Sequence, residues 1–350
     1  MMVEHLPKLV YIDTHDSAYI FSRNPYNKPM NSISKTQLSP EIAQPIITNA
    51  FGSQRSLVAF QELKEGYFNA AALLELDDGL KCVLKAAPPD PVRVLRYEKD
   101  IMKAEVKALR LVHSNTKVPV AKIYCYDSSR RLLESDFFIM EYLPGTGFNK
   151  LRPELPAKEQ ADIERSMGRL ARQINTITGP AFGYFAHPEA PGVSWRDCFG
   201  NMLRGLLLDG WEMGVTLPLP YEALFNRLEV HFAALDEVDT PRLVHWDLWE
   251  GNLLVDPSTH RVTGLLDFER ALWGDPLIEY IFHNLEPDST YIQGYGAPLL
   301  ETSKARRRRM LYNVYFYLVL IIECPFRKYD TNDQENWARP RLEEALNQLI

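Results

Sequence analysis

The sequence contains few cysteines, and their spacing excludes several kinds of site. Its 350 residues include four cysteines, Cys82, Cys125, Cys198 and Cys324. They are too far apart to form a paired zinc-ligand motif or a C-x-x-C redox motif. We therefore expect reduced thiols in a cytoplasmic protein, where disulfides are rare.

The sequence also lacks a signal-peptide pattern and a long membrane-type run. Residues 1–8 have no apolar core of the signal-peptide kind. The apolar run 310–322 follows four arginines at 306–309, contains Asn313 and is shorter than the roughly 20 residues that a spanning helix needs. We expect a buried helix with a solvated basic start, and no membrane partner.

An excess of positive charge is missing as well. The formal net charge is -7, which argues against a general nucleic-acid binder. This charge would suit a cationic substrate, although in most mildly acidic proteins it serves solubility. With 46% hydrophobic and 24% charged residues, the chain can bury a sizeable core. We expect one bilobal unit or two domains.

Changes of pattern along the chain predict three segments. Residues 1–37 lack clear periodicity and are expected to form an N-terminal extension. Residues 38–143 begin with a short amphipathic helix and continue mainly as strands, whereas residues 144–350 follow a Pro-Gly break and are mainly helical. The predicted fold class is α+β. The expected strands are 57–60, 70–76, 81–85, 122–126 and 137–143, and the expected helices include 101–112, 156–174, 195–212 and 221–235.

Two short stretches in the helical segment concentrate polar side chains. The first is VHWDLWEGNLLV at 244–255, and the second is GLLDFE at 264–269. The apolar runs 253–255 and 262–266, separated by a turn-like DPST, are typical of a hairpin. Such a hairpin would bring Asn252 near Asp267, with Asp247 close by. Oxygen ligands of this kind suit a hard divalent cation that also binds phosphate oxygens.

A lysine and an acid in the β-rich segment form a second candidate pair. Lys85 ends the expected strand 81–85, and the helix that follows carries apolar residues near helical spacing. Glu105 lies three or four residues from several of them, which places its carboxylate beside the apolar face. A buried acid needs a partner, and we expect Lys85 to be that partner. The other charges of this region, among them Glu98, are expected on the solvated face.

The order His-x-Asp-x-x-x-x-Asn, followed by Asp-Phe, resembles the catalytic and metal-binding loops of protein-kinase-like phosphotransferases. The flanking LLDFERA and WGDP at 265–276 resemble the aminoglycoside phosphotransferase and choline kinase superfamily more than protein kinases. The resemblance covers residues from about 40 to at least 290. It implies a protein-kinase-like bilobal fold, with a small β-rich N-lobe containing one key helix and a larger, mainly helical C-lobe.

The resemblance also implies roles for the polar side chains of the second lobe. Asp247 would orient the acceptor hydroxyl and accept its proton, and His245 would brace the loop rather than transfer protons. Asn252 and Asp267 would hold Mg²⁺ at the phosphates of ATP. The implied reaction is transfer of the γ-phosphate to a hydroxyl group of a small molecule.

In the first lobe, the resemblance implies a nucleotide-binding site. Lys85, fixed by Glu105, would neutralise the α- and β-phosphates. Between the first two strands lies KEGYFN at 64–69, which has one glycine instead of G-x-G-x-x-G. Gly66 and Asn69 match the Gly-x-x-Asn form of related small-molecule kinases, while an ordinary hairpin turn is an equally good interpretation.

The implied hinge between the lobes lies at 140–143. Its backbone groups, including those of Glu141 and Leu143, would bind the adenine ring. A buried strand that ends in a turn would look the same in sequence, so this assignment depends on the lysine and the catalytic loop.

The acceptor is less well defined by the sequence. Glu279, Glu286 and Asp288 lie where related kinases place substrate contacts, although solvated surface acids are the commoner explanation of such residues. An aminoglycoside-like or other cationic amine or sugar is the first expectation. Trp246 replaces a small residue of many relatives and is expected to shrink or redirect the acceptor pocket. Asp275 is expected to hold the catalytic loop through backbone amides. A neutral sugar, amino alcohol or homoserine-like metabolite is the alternative acceptor.

Two other classes of protein compete with an active kinase. A nucleotide-binding pseudokinase or regulatory module is expected to have lost Lys85, Asp247, Asn252 or Asp267, and all four are present. A metal-dependent hydrolase would use Asp and His but would not explain the lysine and glutamate pair. The sequence makes no prediction of oligomeric state.

Overall fold

The computed structural model describes residues 35–63, 68–89, 92–283, 286 and 288–349. Most of the extension expected at 1–37 lies outside the described residues. The strands are β1 (Leu57–Leu63), β2 (Ala70–Leu76), β3 (Lys81–Ala86), β4 (Ile123–Asp127), β5 (Phe137–Glu141), β6 (Thr146–Gly147), β7 (Gly183–Tyr184), β8 (Arg242–Val244), β9 (Leu253–Val255), β10 (Val262–Leu265) and β11 (Leu272–Gly274).

The α-helices are α1 (Pro40–Phe51), α2 (Ile101–Asn115), α3 (Phe148–Leu151), α4 (Ala157–Ile174), α5 (Trp195–Glu212), α6 (Tyr221–Glu229), α7 (Thr290–Tyr295), α8 (Ser303–Ile322), α9 (Cys324–Arg327) and α10 (Asp333–Gln348). The expected elements are present with small shifts of their ends. One expected helix, 221–235, is divided between α6 and a 3₁₀ segment, Phe232–Glu237.

The N-lobe is built on an antiparallel sheet with the strand order β1-β2-β3-β5-β4. Alternate residues of β2 are fully buried, whereas the last five residues of β3 are all buried. The reason is that helices cover both faces at the centre of the sheet. Phe137 and Ile139 pack on the α1 side, and Phe138 packs against Met102 and Val106 of α2.

Helix α2 contacts both lobes. Its residues Ile101, Leu109 and Val112 belong to the large core of the C-lobe, while Met102 faces the N-lobe sheet. An amphipathic helix with two apolar stripes is held from both sides. The position of Glu105 on α2 is therefore fixed relative to both lobes.

Helices α4 and α7 pack at backbone distance. A Cβ atom added to Gly168 would lie 2.2 Å from the carbonyl oxygen of Tyr291, and one added to Gly294 would lie 2.0 Å from that of Arg165. No larger residue fits at either position without moving a helix. These two glycines set the close approach of the helices.

Helix α8 contains the long apolar run. The segment Ser303–Arg327 is long and apolar enough to cross a membrane by length and composition alone, but 67% of its most apolar window is buried inside the protein. It is a core helix of the C-lobe, as expected. The expectation of a fully solvated basic start is wrong for Arg308, which is 4% exposed and pairs with Asp275 and Glu237.

Two small sheets hold the polar loops of the C-lobe. Strands β9 and β10 form the predicted hairpin, which β6 extends at one edge, and β8 pairs with β11 in a second three-stranded sheet with β7. The chain leaves β8 at Val244 and enters β9 at Leu253. Both ends of the 245–252 loop are thus anchored in sheet.

Candidate active site

Lys85 and Glu105 form the ion pair that the sequence predicts. Lys85 Nζ lies 2.9 Å from each carboxylate oxygen of Glu105, and the two residues are 7% and 1% exposed. Loss of hydration alone would lower the pKa of Lys85, but Asp267, Glu105 and Glu269 raise it well above its usual range. Lys85 is therefore a permanently charged group.

Two carboxylates of the C-lobe share the same lysine. Lys85 Nζ lies 2.5 Å from Asp267 Oδ1 and 3.3 Å from Glu269 Oε2. Loss of hydration favours the neutral acid at Asp267, but the charge and hydrogen bond of Lys85 prevail and lower its pKa. Glu269 was not predicted as a site residue, although its place two residues after Asp267 was visible in the sequence.

The donor set of this cluster fits a divalent cation. One oxygen each of Glu105, Asp267 and Glu269 lie within 4.8 Å of one another. A single ammonium group faces three carboxylates, so added positive charge would be favourable there. Hard carboxylate oxygens are the ligands that Mg²⁺ prefers in proteins.

Asn252 and Asp247 are joined directly. Asn252 Nδ2 donates to the backbone oxygen and to Oδ2 of Asp247, both at 2.9 Å. These two bonds orient the amide so that Oδ1 of Asn252 remains as an acceptor for a cation. Loss of hydration raises the pKa of Asp247 well above its usual range, and the opposing charge of Arg270 does not cancel this effect.

His245 is fully buried and uses both ring nitrogens within the loops. Its Nε2 lies 2.8 Å from the Leu266 carbonyl oxygen, and its Nδ1 accepts from the backbone N–H of Asp247 at 3.2 Å. The ring also packs edge-on against Phe268, with centroids 4.4 Å apart. Burial lowers the pKa of His245 to about 4. A neutral ring with both nitrogens occupied fits the bracing role that the sequence predicted, not proton transfer.

The 245–252 loop, which we call the catalytic loop after its predicted role, is held by Glu279, a residue expected to be a substrate contact or a surface acid. Glu279 is 2% exposed and accepts backbone N–H groups from His245 and Trp246 at 3.1 Å and from Leu248 at 3.0 Å. Loss of hydration raises its pKa to about 7 in spite of these bonds. Both expectations for Glu279, a substrate contact and a solvated surface acid, are wrong because its carboxylate is enclosed.

The loop-holding role predicted for Asp275 is also wrong in its detail. Asp275 accepts from Arg308 Nε and from the Tyr312 hydroxyl, both at 2.8 Å, and caps the 3₁₀ segment Pro276–Phe282. Glu279 lies on that segment. Asp275 therefore supports the segment that carries Glu279, and Glu279 rather than Asp275 binds the backbone amides of the catalytic loop.

Trp246 does not stand in the cleft beside Asp247. It is 0% exposed, and its ring stacks on that of Tyr315 with centroids 5.6 Å apart. The ring centroids of Tyr184 and Tyr97 lie 6.1 and 6.3 Å from that of Trp246. Its φ of +57° is a conformation that L-residues with large side chains rarely adopt. The expectation of a ring that narrows an open acceptor pocket is wrong, because the ring is part of the C-lobe core.

A cavity of about 210 Å³ borders this aromatic cluster. Tyr97 and Tyr184, which stack at 4.9 Å, form part of its wall. Met202, Leu206 and Asp209 of α5 also line it. It is smaller than the sites of about 300–1,000 Å³ that hold drug-sized ligands. A compact chemical group would fill it.

The predicted glycine-loop residues have different outcomes. Gly66 lies outside the described residues. Asn69 is 4% exposed and donates through Nδ2 to Glu269 Oε2 at 2.6 Å. Asn69 thus connects the N-lobe to the loop that carries Asp267.

The predicted hinge lies against the β9–β10 hairpin. Glu141 is the last residue of β5, and its backbone N–H donates to the Lys122 carbonyl oxygen at 2.8 Å. Leu143 packs so closely on β10 that a Cβ atom at Gly264 would lie 2.8 Å from its Cδ1 atom. The connection between the lobes therefore runs along the hairpin that precedes Asp267.

Three other acids differ in their surroundings. Glu98, expected on the solvated face, is 3% exposed and pairs with Arg327. This expectation is wrong because a partner 229 residues away in sequence covers it. Glu286 is half-buried and Asp288 is exposed near the start of α7.

Comparison with known families gives one clear match. The model of a family described as "Phosphotransferase enzyme family" (APH) matches residues 59–309, which include β2 to β11 and both polar loops. A probable acyl-CoA dehydrogenase of Arabidopsis thaliana, IBR3, is 24% identical over 241 residues, or 67% of this chain. The chain spans only 28% of the length of that plant protein.

Solved structures with the same fold share less sequence. A candidate aminoglycoside phosphotransferase from Ralstonia eutropha superposes with a TM-score of 0.63 at 17% identity, covering 89% of this chain and 98% of that one. For aminoglycoside 2'-phosphotransferase-IIIa in complex with GDP, the TM-score is 0.61 at 19% identity, covering 89% and 100%. For APH(4)-Ia with AMP-PNP and hygromycin B, it is 0.58 at 16% identity, covering 87% and 97%.

Proposed function

The chain belongs to the phosphotransferase enzyme family, and from this membership we propose that it transfers the γ-phosphate of ATP, with Mg²⁺, to a hydroxyl group of a small molecule. The family membership and the bilobal protein-kinase-like fold confirm the resemblance seen in the catalytic loop. The observation that carries the proposal is the convergence of Lys85, Glu105, Asp267 and Glu269 beside the Asp247–Asn252 pair.

In the proposed reaction, Asp247 orients the acceptor hydroxyl and accepts its proton. A carboxylate of raised pKa is a better proton acceptor than an ordinary one, provided that it is ionised at the working pH. The two bonds from Asn252 fix its orientation. Alignment of this kind supplies much of the rate enhancement in phosphoryl transfer.

The phosphates are held by residues from both lobes. Lys85 carries the positive charge, and Glu105 keeps it in place. Asp267 and Asn252 would hold Mg²⁺, which when bound neutralises phosphate charge, and Glu269 is a third candidate ligand. We assign nucleotide binding to 38–143, including Gly66, Asn69, Glu141 and Leu143, and acceptor binding to 144–350.

An acceptor without several positive charges is favoured over a polycationic one. Glu279, one of the three acids at positions where related kinases place substrate contacts, is enclosed and bonded to the backbone. The charge that acts most strongly on Asp247 is that of Arg270, a cation. These observations support the neutral sugar or amino alcohol class over aminoglycosides.

Release of ADP or GDP from the Mg²⁺ nucleotides tests the proposal. The panel contains aminoglycosides, choline-like amino alcohols, neutral sugars and homoserine, and Asp247→Asn is the blank. We expect acceptor-dependent release in the wild type that disappears in the variant, while binding of Mg²⁺-AMP-PNP survives. Acceptor-dependent release that persists in Asp247→Asn would exclude the assigned role. Nucleotide binding without release for any acceptor would favour a pseudokinase.

A further inference from the structure

Four charged side chains form a continuous line of buried ion pairs near the candidate active site. Arg270 Nη2 lies 2.8 Å from Glu323 Oε2, Arg327 Nη2 lies 3.8 Å from the same oxygen, and Arg327 also pairs with Glu98. Their side-chain exposures are 11%, 1%, 4% and 0% for Arg270, Glu323, Arg327 and Glu98. We call these four residues the charge chain.

The carboxylates of the charge chain are hydrogen-bonded, but the burial of its four ions is unfavourable. Gln334 Nε2 donates to Glu323 Oε1 at 2.7 Å, and the backbone N–H of Leu95 donates to Glu98 Oε2 at 3.0 Å. Burial of ions carries a penalty of several kcal/mol for each, and apolar side chains of similar volume often replace such pairs without loss of stability. Stability alone is therefore a weak reason for this arrangement.

The two ends of the charge chain lie beside elements of the active site. Glu98 is three residues before the first residue of α2, the helix that carries Glu105. Arg270 is three residues after Asp267. The segment just before Asp267 is joined to the catalytic loop by His245 Nε2, which lies 2.8 Å from the Leu266 carbonyl oxygen. The charge chain thus runs from the segment before α2, the helix whose Glu105 holds Lys85, to the neighbourhood of the catalytic loop.

The middle of the charge chain lies at the junction of α8 and α9. Besides its ion pairs, the Arg327 guanidinium lies 3.9 Å from the centroid of the Phe68 ring. Phe68 precedes Asn69, whose side chain binds Glu269. The same arginine therefore contacts the N-lobe at two places, the start of β2 and the segment before α2.

We propose that the charge chain is a positioning device that sets α2 against the catalytic loop, so that Lys85 and Asp247 are aligned at the same time. Its members are positioning residues that act through Glu105 and Asp247. The inference rests on the proposed function, because it concerns the alignment of that same site. A further bridge between the lobes, besides the Lys85 ion pairs and the Asn69–Glu269 bond, limits the relative movement of the two halves of the site.

Coupling between the two ends has to be reciprocal. In hydrogen exchange of the full chain, Arg270→Gln is expected to speed exchange in 95–104, and Glu98→Gln is expected to speed it in 266–274. We expect exchange rates at the end remote from the substitution to rise by at least about fivefold. Changes confined to the substituted end would overturn the proposal, whether or not an acceptor is known.

Arg96→Met is the matched control. Arg96 lies in the same 3₁₀ segment as Glu98 and pairs with Asp209 and Glu212 of α5, outside the charge chain. The Arg96 side chain is 38% exposed and that of Asp209 is 4% exposed, so the control removes a partly buried ion pair of the same segment that lies outside the charge chain. We expect local changes only. A far-end change as large as that of Glu98→Gln would attribute the coupling to the attachment of the segment and would also overturn the proposal.

Kinetics with the best acceptor of the panel separates positioning from stability. Arg327→Met is expected to lower kcat about tenfold or more, since small misalignments at a reacting centre cost up to about 100-fold. Glu98→Gln combined with Arg327→Met should cost less than the sum of the two single changes. A lower melting temperature with unchanged kcat would show a purely structural role. Failure of the wild type on every acceptor would count against the proposed function, whereas hydrogen exchange would still decide the coupling.

Discussion

At the scale of single residues, the candidate site is distinguished by how each charge is compensated. Lys85 is surrounded by three carboxylates, whereas Asp247 has the amide of Asn252 and the charge of Arg270. The pKa of Asp267 is lowered, and that of Asp247 is raised. Two aspartates whose pKa values are shifted in opposite directions suit two tasks, one as an anionic ligand and one as a proton acceptor.

The raised pKa of Asp247 predicts the acidic limb of the pH profile. Asp247 accepts a proton only when it is ionised, so kcat/KM should fall as the pH drops through its raised pKa. The limb should therefore lie above the value of about 3.9 for an ordinary aspartate. Steady-state assays across pH, with residual turnover of Asp247→Asn as the control, would measure it. A rate that stays constant down to pH about 4 would contradict the assignment.

Trp246 should contribute to stability rather than to acceptor choice. Its ring is fully buried among Tyr97, Tyr184 and Tyr315, and we expect Trp246→Ala to cost about 3–5 kcal/mol of unfolding free energy. Trp211→Ala is the matched control because Trp211 is 65% exposed, and its loss should change stability by about 0.5 kcal/mol or less. Urea denaturation measures both. Equal costs for the two variants would disprove this account of Trp246.

At the scale of elements, a 3₁₀ segment fixes the catalytic loop. Glu279 projects from Pro276–Phe282 and accepts three backbone N–H groups of the loop. Asp275 caps the same segment and is held by Arg308 of α8. The position of the loop therefore depends on α8, an element that lies outside both sequence motifs.

Removal of the Glu279 carboxylate should loosen the catalytic loop. Glu279→Ala leaves three backbone donors without this acceptor, and each such loss costs about 1–3 kcal/mol when the donor remains buried. We expect a lower melting temperature together with a fall in kcat, while the affinity for Mg²⁺-AMP-PNP changes little. Glu279→Gln keeps one acceptor oxygen and should lose less. An unchanged kcat in a folded Glu279→Ala protein would show that the loop keeps its conformation without Glu279.

The sequence predicted the elements that carry local patterns. The 253–266 hairpin and α2 follow from apolar spacing and turn residues, and the pairing of Lys85 with Glu105 follows from an acid on an apolar face. Glu98 and Glu279 were assigned to the surface or the acceptor because an acid has the same local pattern whether buried or exposed. Their burial depends on partners far along the chain, such as Arg327, and no local pattern contains this information.

At the scale of the whole molecule, the site exists only where the two lobes meet. Lys85 and Asn69 come from the N-lobe, and Asp267 and Glu269 come from the C-lobe. Each lobe has a core of its own, so the contacts between them decide whether the catalytic groups are aligned. Asn69 allows a direct test of this idea, because its side chain forms a hydrogen bond across the cleft without bearing a charge.

Loss of the Asn69 amide should weaken nucleotide binding. Its Nδ2 lies 2.6 Å from Glu269 Oε2, and Glu269 also approaches Lys85. A hydrogen bond to a charged group contributes about 1.5–3 kcal/mol, so we expect Asn69→Ala to raise the KM for Mg²⁺-ATP by about tenfold or more, with a smaller change in kcat.

The matched control for this prediction is Asn201→Ala. Asn201 Nδ2 donates to Glu189 Oε1 at 2.9 Å, an exposed contact within the C-lobe. The two substitutions remove the same chemical group and the same kind of bond, and the bonds differ in burial and in whether they join the lobes. An unchanged KM in Asn69→Ala, or an equal rise in Asn201→Ala, would mean that the Asn69–Glu269 bond does not help to form the nucleotide site.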